Sequence, residues 1–151
     1  MSFEPRELFR ILNAHGVRYV VIGNLGATLY GSPLVTNDAD ICPARDQDNL
    51  EALAGALNEM RARIRAPGLP EGLPFACDAV FLNLSFEPSG TGGYGNLSQR
   101  SVVVGLRDDL EVPVAALEDI IRSKEAANRE KDRMALPTLR LLLQKVNRPA
   151  E

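Results

Sequence analysis

Asp38 and Asp40 stand one residue apart in "GSPLVTNDADI" (residues 31–41), at the mouth of an apolar run and just after a glycine-bearing turn. Side chains alternate along a strand, so residues i and i+2 share a face and both carboxylates point the same way. Like charges held that close repel, and a divalent cation between them removes the repulsion. Hard oxygen ligands suit Mg²⁺, which keeps several waters and shares phosphates with a substrate. An Asp-x-Asp also occurs on solvated strand ends, so the pair by itself leaves both readings open.

The neighbours of the pair narrow the choice. Gly23 and Asn24 fall where "VRYVVIG" ends as a strand and "NLGATLYG" begins as a short helix. Amide N–H groups at a helix start carry partial positive charge and hold a phosphate where no side chain blocks the approach, as Gly23 allows. The plainer alternative is a strand-to-helix turn with Asn24 as its cap. Thr36 and Asn37 either orient a ligand or close a turn. Lys124, Arg129 and Lys131 cluster at a predicted helix junction. They read as clamps on phosphoryl groups, or as a solvated face in which Lys131–Asp132 is a surface pair. A phosphate cradle followed by paired metal ligands is the set of parts that a nucleoside triphosphate with magnesium requires.

The elements that must position these residues follow from periodicity and punctuation. "EPRELFRILNAHG" predicts a helix with Pro5 in its first turn and Gly16 as its stop. "DADICPA" predicts a strand ended by Pro43. "DQDNLEALAGALNEMRARI" predicts a helix capped by Asp46, with Leu50, Leu53, Leu57, Met60 and Ile64 at helical spacing. "APGLPEGLP" reads as a loop, "FACDAVFLNLSF" as strand, and "PSGTGGYGN" as a glycine-rich loop that lacks the Gly-Lys-Ser/Thr of a phosphate loop. "SVVVGL" and "LEVPVA" pair across "RDD". "AALEDIIRSKEAAN" and "DRMALPTLRLLLQKV" close the chain as helices, with Pro137 in the first turns of the last or at its start. The expected fold class is α/β (α+β), a mixed β-sheet flanked by helices in one domain spanning 1–151, with a basic C-terminal helical segment at about 116–147.

Composition excludes several classes. The chain has 151 residues, 45% apolar and 25% charged, as a soluble globular domain does, and no apolar run long enough to span a membrane. The N-terminus carries acids and helical spacing, unlike a signal peptide. Cys42 and Cys77 give neither a disulfide framework nor metal-ligand spacing, so reduced thiols and a cytoplasmic location are expected. The net charge of −3 argues against a general nucleic-acid coat, yet residues 122–148 carry +5 against −7 for residues 1–121. His15 is the single histidine, and its place before a helix-stopping glycine predicts capping or exposure. No Ser/His/Asp or Cys/His set supports hydrolase chemistry.

"IGNLGATLYGSPLVTNDADI" resembles the minimal nucleotidyltransferases of the polymerase-β superfamily: a Gly-Gly or Gly-Ser pair, a short helix, then Asp-x-Asp on the next strand. Thirteen residues separate Asn24 from Asp38, within the spacing of that family. "PSGTGGYGNL" and "SKEAANREKDRMALPTL" resemble later blocks of a bacterial branch that includes enzyme halves of toxin–antitoxin systems. The resemblance implies a polymerase-β-like nucleotidyltransferase fold and transfer of a nucleoside monophosphate from an NTP to an acceptor hydroxyl: an RNA end, a protein side chain or a small molecule. It implies that Gly23, Asn24, Thr36, Lys124, Arg129 and Lys131 bind the nucleotide. Asp38 and Asp40 would hold Mg²⁺, two ions with a bound NTP. So small a chain implies a homodimer or a partner protein to complete the site.

Two positions depart from the pattern. Asn24 replaces the second small residue of the pair. Asn83 falls, by spacing in "LNLSFEPSGTGGY", where the family has its third catalytic aspartate. An asparagine oxygen can ligate a metal but brings no charge and takes no proton. Asp78 lies five residues earlier and substitutes only across a bulge or twist. The alternative expectation is therefore a catalytically degenerate nucleotide-binding or regulatory module, such as a component of a toxin–antitoxin pair.

Overall fold

The computed structural model describes residues 5–34, 36, 38–60, 75–77, 82–107 and 109–147. In chain order the elements are α1 (Pro5–Ala14), β1 (Tyr19–Ile22), α2 (Gly23–Leu29), β2 (Ala39–Pro43), α3 (Gln47–Glu59), β3 (Phe75–Cys77), β4 (Leu82–Leu84), α4 (Tyr94–Gln99), β5 (Val102–Gly105), β6 (Glu111–Val114), α5 (Leu117–Ala127) and α6 (Glu130–Val146). The expected mixed sheet is present, with six strands in the order β3-β4-β2-β1-β6-β5. β1 pairs antiparallel with β2 and parallel with β6, and β2 pairs parallel with β4. The "RDD" connection joins β5 and β6 as an antiparallel pair.

The two faces of the sheet differ in chemistry because side chains alternate. Val21, Ala39, Ile41, Leu82, Leu84, Val112 and Val114 make one face wholly apolar, and it packs on Leu8, Phe9 and Leu12 of α1 and Leu53 and Ala56 of α3. The other face is apolar only at one end, where Val20 and Cys42 meet Leu97 of α4 and Ile120 of α5. Its other end carries Asp40 and Asn83, which pair across β2 and β4, with Ile22 opposite Asp40 on β1. Alternation thus places one acid of the predicted pair on the face that the helices cover incompletely. Asp38 lies at a bend just before β2 rather than on the strand.

Gly26 sets how closely α2 approaches this layer. A Cβ there would lie 2.9 Å from Ile120 Cδ1 and 3.3 Å from the Val21 carbonyl oxygen. α5 and α6 then close over α2 through Ala27, Leu117, Ile121, Ala135, Leu136 and Leu139. The turn between α5 and α6 is made by Asn128, left-handed at φ +50°, a conformation that asparagine tolerates.

Three expectations need correction. The second half of the glycine-rich loop is helical, as α4, because buried Leu97 anchors it under Ile120; a six-residue helix with one anchor leaves no periodic signal. The last helix starts at Glu130, and Pro137 lies in its interior rather than at its start or in its first turns. The start is fixed by Asp132, whose carboxylate accepts from the Arg129 backbone N–H at 3.1 Å and from Arg129 Nε at 2.7 Å. The Lys131–Asp132 surface pair does not form. Asp132 is fully buried and its second cation is Lys124, at 3.6 Å. "APGLPEGLP", Asn37, Ile64 and Asp78 lie outside the described residues.

Burial would raise the Asp132 pKa, but the Arg129 side-chain and backbone hydrogen bonds and the charges of Arg129 and Lys124 hold it below the usual carboxylate range. A carboxyl whose folded pKa is depressed adds stability that is present above about pH 4 and lost as pH falls through the folded value. Asp132→Asn should therefore flatten the acid limb of the stability profile, read as urea midpoints from about pH 3 to about pH 7. Gly26→Val should overpack the contact with Ile120 and cost about 1–3 kcal/mol, seen as a Tm several degrees lower.

Candidate active site

The acid end of the sheet opens into a cavity of about 410 Å³. Asp40 and Asn83 line its floor beside Gly23, and Lys124 and Arg129 line the opposite wall. The sheet supplies the floor because β2 and β4 run parallel with Asp40 and Asn83 in register. The wall comes from the end of α5 and the start of α6.

Asn83 Nδ2 donates to Asp38 Oδ2 at 2.7 Å, so the acid before β2 is drawn back over the strand face that carries Asp40. Asp40 is the residue opposite Asn83 across β2 and β4, and the amide acts to lower its pKa. The three residues that the sequence marks as catalytic, Asp38, Asp40 and Asn83, therefore form one cluster. Partial burial raises the Asp40 pKa, and the Asp38 charge adds to this, against the lowering effects of Asn83, Lys131 and Lys124.

Gly23 has φ +68°, and a Cβ built on it would lie 2.5 Å from Asp40 Oδ2. Any other residue would be strained and would collide with the carboxylate. The room that Gly23 leaves on that side is thus filled by Asp40, where the sequence reading left it open for a phosphate. Asn24 does not cap α2: the cap position is Ile22. Its Oδ1 is a buried oxygen with no hydrogen-bond partner. Thr36 Oγ1 donates to the Asp38 carbonyl oxygen at 3.0 Å, which is the turn-closing alternative; it orders the segment that presents Asp38.

Lys124 is buried at 8% exposure. Burial lowers its pKa, against the raising effect of Asp132 and, more weakly, of Asp40. Asp132 is shared between Lys124 and a bidentate Arg129, whose Nη2 lies 3.2 Å from Oδ1. Two cations on one carboxylate leave the wall with a net positive charge facing the acid floor. Lys131 is exposed on α6 and does not line the cavity; its charge still reaches Asp40.

One polar group at the cavity escaped the sequence reading. Asp119, 1% exposed, accepts from Arg100 Nε at 2.9 Å, Arg100 Nη2 at 3.0 Å and Arg122 Nη1 at 2.7 Å. It fixes the end of α4 to the first turn of α5 and so holds the cavity's upper wall. Its place in that first turn predicts a helix-start acid, but nothing in the spacing announces Arg100. Among the described residues no group of three or more His, Cys, Asp or Glu side chains is arranged to hold a metal, because the third place beside the acid pair is an amide. His15 is remote from this site: its Nε2 pairs with Glu59 Oε1 at 2.8 Å.

No family model matches the chain, and no curated protein matches it. Solved structures do. The lincosamide antibiotic adenylyltransferase LnuA, lincomycin-bound, is similar with TM-score 0.63 at 15% identity, over 94% of this chain and 99% of that one. The antibiotic-resistance factor ANT(2'')-Ia is similar with TM-score 0.63 at 12% identity, over 97% of this chain and 86% of that one. TM1012 of Thermotoga maritima, a proposed nucleotidyltransferase, is similar with TM-score 0.57 at 18% identity, over 93% of this chain and 91% of that one. Identities this low speak to architecture, and there the agreement is broad: the chain shares the fold of these three structures, a mixed sheet flanked by helices, over more than nine-tenths of its length.

Proposed function

We propose that this chain is a magnesium-dependent nucleotidyltransferase, which binds an NTP in the cavity and passes its nucleoside monophosphate to an acceptor hydroxyl with release of pyrophosphate. The observation that carries the reading is Asp40 on the cavity floor opposite Lys124 and Arg129, with Asp38 tied to the same floor through Asn83. Two partly buried carboxylates, one with its pKa raised by burial and by the other's charge, are short of a counter-ion. A divalent cation held by Asp38 and Asp40 fits that donor set. When bound, it polarises the phosphoryl oxygens and neutralises charge on the departing pyrophosphate.

The chain's own residues do the rest. Lys124 and Arg129 hold the triphosphate on the wall, and Lys131 adds long-range positive charge. Gly23 keeps the floor flat under Asp40, and Thr36 positions Asp38 through its backbone. Asn24 follows the cavity-lining Gly23 at the start of α2 and is the nucleotide-binding residue next to it. Asn83 orients both acids but cannot take the acceptor's proton. A missing base of this kind costs about 10²–10⁴-fold in rate. The basic C-terminal helices favour an anionic acceptor such as an RNA end, whereas the antibiotic-directed names of two similar structures favour a small molecule. A protein side chain is the third acceptor class. A second copy or a partner protein supplies the acceptor surface, and the cytoplasm supplies the NTP.

A second reading is favoured by the same amide. A fold that keeps nucleotide and cation binding while an asparagine ties up the acids suits a regulatory module, for example within a toxin–antitoxin pair.

Incubation with Mg²⁺ and each α-labelled NTP, with and without total RNA, separates the two. Transfer of label that Asp38→Ala abolishes supports the enzyme. A silent wild type with activity restored in Asn83→Asp supports the regulatory module. Absence of binding for every NTP counts against both. Lys124→Met should weaken NTP binding about 10–100-fold, the loss of a charge-assisted hydrogen bond, measured by calorimetry. Asp40→Asn should abolish metal-dependent binding yet stabilise the metal-free protein by about 0.5–2 kcal/mol, because it removes one of two repelling, partly buried charges; thermal unfolding in chelator checks the sign.

A further inference from the structure

The acid floor also bears on how many cations the site takes, an inference that rests on the nucleotidyltransferase reading above. Asn83 leaves β4 on the same face as Asp40 leaves β2, because the two are in register on parallel strands. Its Nδ2 donates to Asp38 Oδ2 at 2.7 Å. A primary amide presents N–H donors on one side and a single oxygen on the other. With the N–H side turned to the acids, it faces them as a cation would.

We infer that the site takes one divalent cation, held by Asp38 and Asp40 and brought in with the triphosphate, and that the Asn83 amide occupies the place of a second. For Asn83 Oδ1 to become a ligand, the amide must turn over and abandon Asp38, which leaves that carboxylate without its donor. Charge argues the same way. The floor's own carboxylates, apart from the bound triphosphate, carry two negative charges, the charge of one divalent ion, and the amide at Asn83 adds none. Other acids at the cavity do not make up the difference among the described residues. Asp119 is held by Arg100 and Arg122, and Glu87 lies 3.6 Å from Arg45. Lys124 and Arg129 already place positive charge on the facing wall, so a second divalent ion would meet repulsion from it.

The number of ions is read directly by native mass spectrometry of the chain with Mg²⁺ and the α,β-methylene analogue of each NTP. It is read independently with Mn²⁺ at excess protein, where an ion pair gives a spin-coupled resonance spectrum and a single ion does not. One ion per nucleotide complex is expected for the wild type and for Asn83→Ala, which removes the amide without adding charge. Asn83→Asp is expected to take two, with the coupled spectrum. Two ions in the wild type overturn the inference and leave the nucleotidyltransferase reading intact. One ion in a folded Asn83→Asp overturns the role given to Asn83. Failure of every analogue to bind, with or without metal, overturns the inference and that reading together.

Discussion

A carboxylate on the sheet and a second at the bend just before it, both partly withdrawn from water and joined through Asn83, set the terms for the rest of this molecule. Burial and mutual repulsion both act against ionised Asp40. The surrounding structure offsets that cost at several points. Asn83 donates to Asp38 from the neighbouring strand, Gly23 gives up its side chain so that the Asp40 carboxylate fits, and Lys124 is held in a buried position across the cavity. A fold that kept these acids only for stability would do better with apolar residues there, since buried charge is weak evidence of stabilisation. Their presence is in keeping with the cation and polyphosphate proposed above.

The positive wall depends on a second electrostatic arrangement. Asp132 fixes the start of α6 and at the same time holds Arg129 and Lys124. One carboxylate serving two cations keeps both in place without cancelling both charges. The α5–α6 turn at Asn128 brings this group over the end of the sheet. The same logic recurs at Asp119, which holds Arg100 and Arg122 and so braces α4 against α5. In each case a buried acid organises guanidinium or ammonium groups at the cavity edge, and the apolar contacts of Leu97, Ile120 and Leu117 supply the support beneath them.

Local signals carried the elements that have a strong period or a clear stop. The capping of α3 by Asp46, the hairpin of β5 and β6, and the glycine at residue 16 all act over a few residues, so their physics is written in contiguous sequence. The signals failed where tertiary contact decides. α4 is helical because Leu97 finds a pocket, and α6 begins early because Asp132 reaches back to Arg129. Pairing of Asp132 with Lys124 instead of Lys131 was equally hidden, since it depends on the angle between two helices.

The sequence by itself determined the acid pair, the short glycine-led helix before it, the amide at the third position and the basic character of the last two helices. These follow from residue type and spacing, which need no knowledge of distant partners. Only the tertiary structure decided that Gly23 makes room for Asp40, that Asn83 reaches Asp38, and that Lys124 and Arg129 line one cavity with Asp40. Strand register and helix docking bring together residues as far apart in the chain as Gly23 and Arg129. Those relations are set by packing of the whole chain, which no local pattern encodes.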